Sequence, residues 1–287
     1  MPANPDSSSN ADQAAYWNGE AGDKWARLQE RLDGFFAPIS EAAIAAAAPR
    51  PGDRVLDVGC GCGDTVLALG RAVGSLGSVT GIDVSAPMLS VASRRIAAAN
   101  LAQAAVLQAD AASEPFAPGS FDLVFSRFGV MFFDAPVEAF INIHRALKPG
   151  GRLVFACWRP FADNPWFAVP YRAALPHLPE QEKTDLDAPG PFALAESSRV
   201  TRILGLAGFS GIRVEPFDTS LTLGPAGDVE DAMRFVVQVG PVARALATGN
   251  EAQRQAAERA VVEVLRTVAG PEGIRLGGQC WFVSAVA

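Results

Sequence analysis

Three glycines at alternate positions follow a short apolar run and precede a helix-forming stretch. Residues 55–58 are apolar except for one aspartate, Gly59, Gly61 and Gly63 follow, and residues 65–72 continue with a helical pattern. Glycine adopts positive φ and lets the backbone approach a ligand closely. The first N–H groups of a helix are unpaired and attract polar or anionic groups. The pattern therefore predicts a strand, a tight turn and a helix that bind a nucleotide cofactor.

Two acids end the next two apolar runs. Asp83 ends residues 77–83, twenty positions after Gly63, and Asp110 follows residues 104–109. A carboxylate at the tip of a second strand can accept hydrogen bonds from both hydroxyls of a ribose. Asp110 could equally cap a turn, but its register after Asp83 favours a ligand contact.

The spacing of the glycine turn separates two classes of cofactor. A dinucleotide-binding turn places a small residue three positions after its second glycine, and here that position is Asp64. NAD and FAD are therefore disfavoured. The motif Gly59-x-Gly61-x-Gly63, preceded by Asp57, resembles the first motif of class I S-adenosylmethionine-dependent methyltransferases. Within that family the chain is similar to the small-molecule group that includes the ubiquinone and menaquinone biosynthesis methyltransferases.

This resemblance implies S-adenosylmethionine as cofactor and S-adenosylhomocysteine as product. The glycine turn would wrap the methionine part, Asp83 would hold the ribose, Met88 would pack on the adenine, and Asp110 with the N–H of Ala111 would read the adenine edge. Met88 could also be an ordinary core methionine. The residues that the resemblance assigns to the cofactor are Trp25, Asp57, Gly59, Cys60, Gly61, Asp83, Val84, Met88, Asp110, Ala111 and Ser126.

The segment after the predicted fourth strand and the loosely patterned region after the fifth are the candidates for binding the methyl acceptor. Phe128, Met131 and Phe132 would form an apolar floor. The other candidates are Arg127, Trp166, Tyr171 and, as a weak candidate for a catalytic base, His177. The motif of DNA amino-methyltransferases is absent at this point. Aromatic residues near the start, including Trp25, either cover the cofactor or pack as a core helix.

Composition excludes several classes of function. The chain has 287 residues, a net charge of −7 and a pI near 5.0, which disfavours binding to a nucleic-acid backbone. No apolar stretch is long enough to span a bilayer, and residues 1–10 do not resemble a signal, so a cytoplasmic location is expected. The four cysteines form no disulfide framework, and the spacing of Cys60 and Cys62 does not match a zinc site, so no metal is expected.

The predicted fold class is α/β, with a Rossmann-like, doubly wound sheet of seven strands, mostly parallel with an antiparallel last strand. We expect one catalytic domain with four parts: an N-terminal tail and helical cover (1–50), the cofactor core (51–160), a substrate-wall insert (161–196) and the rest of the sheet with a helical lid (197–287). Helices are predicted over 38–48, 228–246 and 251–268, a turn over 148–151, a sixth strand over 212–217 and a last strand over 279–286.

The predicted reaction is the transfer of a methyl group to a small, largely apolar metabolite by in-line displacement. The alternative is a non-catalytic protein of the same fold that binds the cofactor or acts as a scaffold. Orientation and exclusion of water can supply most of the catalysis, so the absence of an obvious catalytic dyad does not exclude an enzyme. The methyl acceptor, the atom methylated, the pathway and a homodimer are left open.

Overall fold

The structure is a computed structural model that describes residues 11–181 and 188–287. The strands are β1 (Arg54–Val58), β2 (Ser78–Asp83), β3 (Ala104–Gln108), β4 (Phe121–Arg127), β5 (Leu147–Trp158), β6 (Ser210–Gly224), β7 (Ala269–Gly270) and β8 (Gly273–Val286). The helices are α1 (Ala11–Asn18), α2 (Glu20–Arg27), α3 (Gln29–Ala47), α4 (Asp64–Val73), α5 (Ala86–Ala98), α6 (Pro136–Ala146), α7 (Pro165–Ala174), α8 (Ser197–Leu206), α9 (Val229–Val236), α10 (Gly240–Leu246) and α11 (Glu251–Thr267).

The strands form one sheet in the order β3-β2-β1-β4-β5-β8-β6, with β7 paired to β8. Strands β1 to β5 pair in parallel, and the last strand is antiparallel. Both β1 and β4 are mostly apolar, and their central residues are buried on both faces of the sheet, which is typical of central parallel strands covered by helices. The predicted Rossmann-like fold is confirmed, and the count rises to eight because of the two-residue β7.

The described residues divide into two compact units. The first holds residues 11–157, 188–216 and 281–287, and the second holds residues 158–181 and 217–280. The first unit contains the glycine turn and every residue that the resemblance assigns to the cofactor. The second contains α7, α9, α10 and α11. The predicted boundaries at 50, 160 and 196 remain predictions.

Several predicted element bounds are wrong. Helix α3 runs through Pro38 instead of starting there, because burial of Phe35, Phe36 and Ile39 outweighs the missing proline N–H. The single helix predicted over 228–246 is two helices, interrupted before Pro241.

Three strands are longer than predicted. The turn expected over 148–151 belongs to β5, which begins at Leu147. Strand β6 has 15 residues and strand β8 has 14, so each extends well past the segment in which the apolar alternation is visible. Among residues 11–181 and 188–287, no helix has the length and apolarity needed to cross a membrane.

Candidate functional site

The carboxyl ends of β1, β2, β3 and β4 meet at one edge of the sheet. The registers place Asp57 beside Gly81 and Phe125, and Asp83 beside Gln108. Because the strands are parallel and these residues lie at or near their ends, the glycine turn, Asp83 and the segment after β4 share this edge. Doubly wound sheets bind their ligands at this edge.

The glycine turn is built from backbone conformations that glycine favours. Gly59, Gly61 and Gly63 have φ of 70°, 52° and 82°. The N–H of Gly59 donates to the carbonyl of Ile82 at 2.8 Å, which ties the turn to β2. A Cβ on Gly59 would lie 2.5 Å from the Cα of Gly129, so the turn and the segment after β4 are in backbone contact.

Asp83 combines burial with unused hydrogen-bonding capacity. It is 9% exposed; its Oδ2 accepts from the N–H of Gly61 at 2.8 Å and its Oδ1 from the N–H of Ser85 at 2.9 Å. Burial raises the pKa of Asp83, and the surrounding backbone N–H groups oppose that rise. A carboxylate has about four lone-pair sites. Each oxygen therefore keeps acceptor capacity, which fits the two hydroxyls of a ribose.

Asp57 lies beneath the glycine turn and is 1% exposed. Its Oδ2 accepts from the hydroxyl of Thr65 at 2.5 Å, and its Oδ1 has no hydrogen-bond partner among the described residues. Burial raises the pKa of Asp57 to about 7; the Thr65 hydroxyl and the charge of Arg127 oppose the rise, and Asp64 and Asp83 add to it. A buried oxygen without a donor is costly, and the ammonium of the predicted cofactor is a donor of the required type.

The raised pKa of Asp57 makes folding stability depend on pH. Since the folded-state pKa lies above the unfolded value, the stability that the protonated group contributes is complete below about pH 4 and lost as pH rises through about 7. Asp57→Asn should therefore gain stability over the wild type between pH 4 and 7.5, by at most roughly 4 kcal/mol. Urea unfolding at several pH values measures this difference.

Asp122 offers the matched control for Asp57. Although desolvation opposes it, hydrogen bonds from Lys148 and from the N–H of Arg54 hold the pKa of Asp122 below its ordinary value. Stability from Asp122 is present above its unfolded pKa and lost on acidification. Asp122→Asn should therefore lose stability relative to the wild type at neutral pH. A constant difference between Asp57→Asn and the wild type across this range would contradict the assignment to Asp57.

Ser126 joins the ends of β1 and β4. Its buried hydroxyl donates to the carbonyl of Val58 at 2.8 Å and accepts from the N–H groups of Gly129 and Val130 at 3.1 and 3.3 Å. These bonds use the donor and both lone pairs of the hydroxyl. The Ser126 side chain therefore fixes the glycine turn relative to the segment after β4. Its predicted contact with the cofactor remains a prediction.

Phe128 has φ of 67°, which is uncommon for a residue with a Cβ and costs about 1–2 kcal/mol. Its N–H donates to the carbonyl of Ala156 in β5 at 3.0 Å. This hydrogen bond holds Phe128 in its positive-φ conformation. Strained residues of this kind concentrate at functional sites. The predicted acceptor floor thus starts with a constrained residue directly beside the glycine turn.

Arg127 is occupied by neighbouring side chains. Its Nη1 donates to Asp64 at 2.7 Å and to the hydroxyl of Ser40, and its guanidinium lies 5.4 Å from the ring centre of Phe36. The side chain is 15% exposed. Asp64 therefore fixes this arginine at the end of β4. Asp64 is also the residue whose charge disfavours a dinucleotide cofactor. A role of Arg127 in binding the acceptor remains a prediction.

Aromatic side chains of the N-terminal helices pack against the end of β4. The Trp17 ring contacts Trp25 and Phe132 edge-on, with centroid distances of 5.6 and 5.4 Å. Trp25 stacks on Phe36 at 6.3 Å, and Phe36 contacts Phe128 at 5.5 Å. The predicted cofactor residue Trp25 and two residues of the predicted floor thus belong to one cluster. Met131, the third residue of that floor, is 2% exposed, and its contact with an acceptor remains a prediction.

The remaining predicted cofactor residues lie near the turn or at the end of β3. Met88 is buried, and its sulfur would lie 3.7 Å from a Cβ placed on Gly61. Asp110 is partly buried and accepts from the N–H of Ala112 at 2.9 Å. Ala111 is buried. The bond from Ala112 is the turn-capping contact of the alternative interpretation, and the contact of Asp110 with the adenine remains a prediction.

The three predicted acceptor residues in the loosely patterned region belong to the second unit. Trp166 is buried and packs on Phe167 at 3.6 Å between ring centres. Tyr171 contacts Phe161 edge-on at 5.4 Å. His177 is exposed in a short 3-10 helix. The acceptor role of Trp166 and Tyr171 and the catalytic role of His177 remain predictions.

The cysteines of the glycine turn do not form a second reactive site. Burial raises the pKa of the Cys62 thiol to about 12 and that of Cys60 well above its ordinary value, so neither is a ready thiolate. Within the described part of the chain, no three His, Cys, Asp or Glu side chains are grouped to hold a metal. A surface depression of about 490 Å³ lies between α5 and β3, but no titratable side chain lines it.

Sequence reasoning missed four residues that shape the site: Ser40, Gly129, Asn18 and Gly22. Each of them contacts residues distant in the chain: Ser40 contacts Arg127, Gly129 contacts Gly59, and Asn18 and Gly22 contact residues 84–87. Only Gly129 carried a signal, as a glycine shortly after a strand end. Gly129 has an ordinary φ of −76°. Glycine is required at this position because the backbone of Gly59 lies too close for a Cβ.

Comparisons with known proteins agree with this geometry. A family model described as a methyltransferase domain matches residues 55–151, which include the glycine turn, Asp83, Asp110 and β4. The chain is 33% identical over 153 residues to an aklanonic acid methyltransferase from Streptomyces sp. (strain C5), covering 51% of this chain and 70% of that protein.

Other relatives align over a smaller share of their own length. A nocamycin O-methyltransferase from Saccharothrix syringae is 31% identical over 203 residues, covering 70% of this chain and 64% of that one. A demethylmenaquinone methyltransferase from Staphylococcus aureus is 42% identical over 105 residues, covering 37% and 43%. The structure of phosphoethanolamine N-methyltransferase 2 from Haemonchus contortus has a TM-score of 0.59 at 20% identity, covering 98% of this chain and 60% of that one, and shows a shared fold.

Proposed function

Because the chain belongs to the class I S-adenosylmethionine-dependent methyltransferases, we propose that it transfers a methyl group from S-adenosylmethionine to a small, largely apolar acceptor. The observation that carries the proposal is the buried carboxylate of Asp83 at the end of β2, which is held by backbone N–H groups that include those of Gly61 and Ser85. No observation favours the non-catalytic alternative.

The residues at the strand ends would hold the donor in three parts. The backbone of the glycine turn and the unpartnered oxygen of Asp57 would receive the methionine portion, since both lie at the end of β1. Asp83 would accept from the ribose. Met88 and Asp110 would contact the adenine, as in the family.

S-adenosylmethionine, when bound, supplies a methyl group on a sulfonium, which is an activated leaving group. The protein then has to orient the acceptor and exclude water, which lowers the barrier by several kcal/mol without an acid or base. The cluster of Trp17, Phe128 and Phe132 would provide the apolar surface for this task, and Ser126 would fix that surface relative to the glycine turn. A general base is needed only when the acceptor atom is protonated.

Calorimetry with S-adenosylhomocysteine, S-adenosylmethionine and NAD in parallel tests the proposal. We expect binding of the first two and none of NAD. Transfer of radiolabelled methyl groups to a panel of quinols, aromatic polyketides and polar amines should then favour the apolar members. A chain that binds neither sulfur nucleoside would overturn the proposed function.

A further inference from the structure

The N-terminal helices contact the turn that carries Asp83, and these contacts extend beyond covering the site. We propose that residues 16–25, the N-terminal latch, dock on the segment 84–88 and position the carboxylate of Asp83 for the donor's ribose, with Asn18 as the positioning residue. The inference rests on the proposed function, because it concerns the same cofactor site.

Asn18 bridges two backbone groups of this segment. Its Nδ2 donates to the carbonyl of Val84 at 2.8 Å, and its Oδ1 accepts from the N–H of Ala86 at 3.0 Å. Ala86 is the first residue of α5, so its N–H has no partner within the helix. A side chain 68 residues away in the chain therefore caps α5.

Ser85 explains why α5 needs this distant cap. It occupies the N-cap position, where a serine usually accepts from a helix N–H, but it makes no such bond. Its buried hydroxyl donates to the carbonyl of Trp17 at 2.7 Å, and its N–H donates to Oδ1 of Asp83 at 2.9 Å. The same residue thus joins the latch to the ribose-binding carboxylate.

Gly22 permits the latch to approach this closely. A Cβ at Gly22 would lie 2.0 Å from the carbonyl oxygen of Trp17, 2.7 Å from the hydroxyl of Ser85 and 3.0 Å from the ring of Pro87. Any side chain here would have to push α2 away from the start of α5. Gly22 is buried and has no special φ, so the docked position itself requires the glycine.

These contacts predict a specific effect on recognition of the ribose. When the latch is detached, Ser85 loses its hydroxyl acceptor and Ala86 loses its cap, so the N–H groups that orient Asp83 become less constrained. Interactions that depend on the ribose hydroxyls should weaken, while those with the base should not. A latch that merely stabilised the fold would weaken both to the same extent.

The probes are S-adenosylhomocysteine, adenosine and 2′,3′-dideoxyadenosine. The readout is the affinity for adenosine divided by the affinity for 2′,3′-dideoxyadenosine. Asn18→Ala should lower affinity for adenosine and S-adenosylhomocysteine about fivefold to tenfold, as expected for two lost hydrogen bonds, and leave dideoxyadenosine unchanged. Gly22→Val should have a larger effect in the same direction. In an Asp83→Ala background, Asn18→Ala should have no further effect on adenosine.

Two controls match the chemistry of these variants. Asn250→Ala removes an asparagine side chain that caps α11 within the second unit by accepting from the N–H of Gln253 at 3.0 Å, and Gly34→Ala adds a Cβ that has no neighbour within 4 Å. Both should retain the wild-type affinity ratio. If the wild type prefers adenosine and Asn18→Ala keeps that preference, the latch is refuted and the proposed function stands. If the wild type binds no nucleoside, the proposed function fails as well.

Discussion

Replacing Asp83 by alanine should reduce the affinity for S-adenosylhomocysteine at least 100-fold. The carboxylate would accept two hydrogen bonds from the ribose, and a hydrogen bond to a charged group contributes about 1.5–3 kcal/mol. Each 1.4 kcal/mol corresponds to a tenfold change in the dissociation constant. Calorimetric titration of the purified variant measures the loss, and the preference for adenosine over 2′,3′-dideoxyadenosine should disappear with it.

The control for this variant is a second acid on the same sheet. Asp122 lies near the start of β4, where its oxygens accept from the N–H of Arg54 at 2.9 Å and from Lys148 at 2.6 Å. Asp122→Asn removes a carboxylate at the opposite end of a parallel strand, so S-adenosylhomocysteine should bind it as it binds the wild type. If Asp83→Ala bound within about threefold of wild type, another residue would have to hold the ribose.

Gly59→Ala should destabilise the fold by about 2–5 kcal/mol and abolish binding of S-adenosylhomocysteine. Two costs add at this position. An alanine at a φ of 70° pays about 1–2 kcal/mol, and its Cβ would lie 2.5 Å from the Cα of Gly129, an overlap that costs about 1–3 kcal/mol to relieve. Because the glycine turn and the segment after β4 must separate, both predicted binding surfaces should be displaced. Urea unfolding gives the stability and calorimetry the affinity.

Two further glycines separate these costs. Gly119→Ala imposes the same positive φ, at 65°, but its new Cβ has no neighbour within 4 Å. This variant should therefore lose about 1–2 kcal/mol of stability and bind S-adenosylhomocysteine normally. Gly129→Ala has an ordinary φ but a Cβ 2.5 Å from the carbonyl oxygen of Val58. This variant should lose affinity for S-adenosylhomocysteine without the free-energy cost of a positive φ. Equal affinities for Gly129→Ala and Gly119→Ala would show that the backbone contact does not shape the site.

The predictions that the structure confirms came from local patterns. The strand, glycine turn and helix from β1 to α4 were predicted because an apolar run, glycines and a helical period occupy adjacent residues. Asp83 was placed at the end of β2 because it follows an apolar run directly. Pro38 was misread for the same reason: the residue resembles a helix start locally, and only burial of the neighbouring phenylalanines shows that α3 continues through it.

The amino-acid sequence by itself determined the sheet, the glycine turn and the carboxylate that follows it, because backbone conformation and hydrophobic period depend on near neighbours. Only the tertiary structure decided what holds these parts in place: the hydroxyl of Ser126 on Val58, the side chain of Asn18 on Val84, and Gly129 against Gly59. These pairs are 66 to 70 residues apart. A contact over such a distance exists only after the sheet has assembled, so no local pattern can specify it.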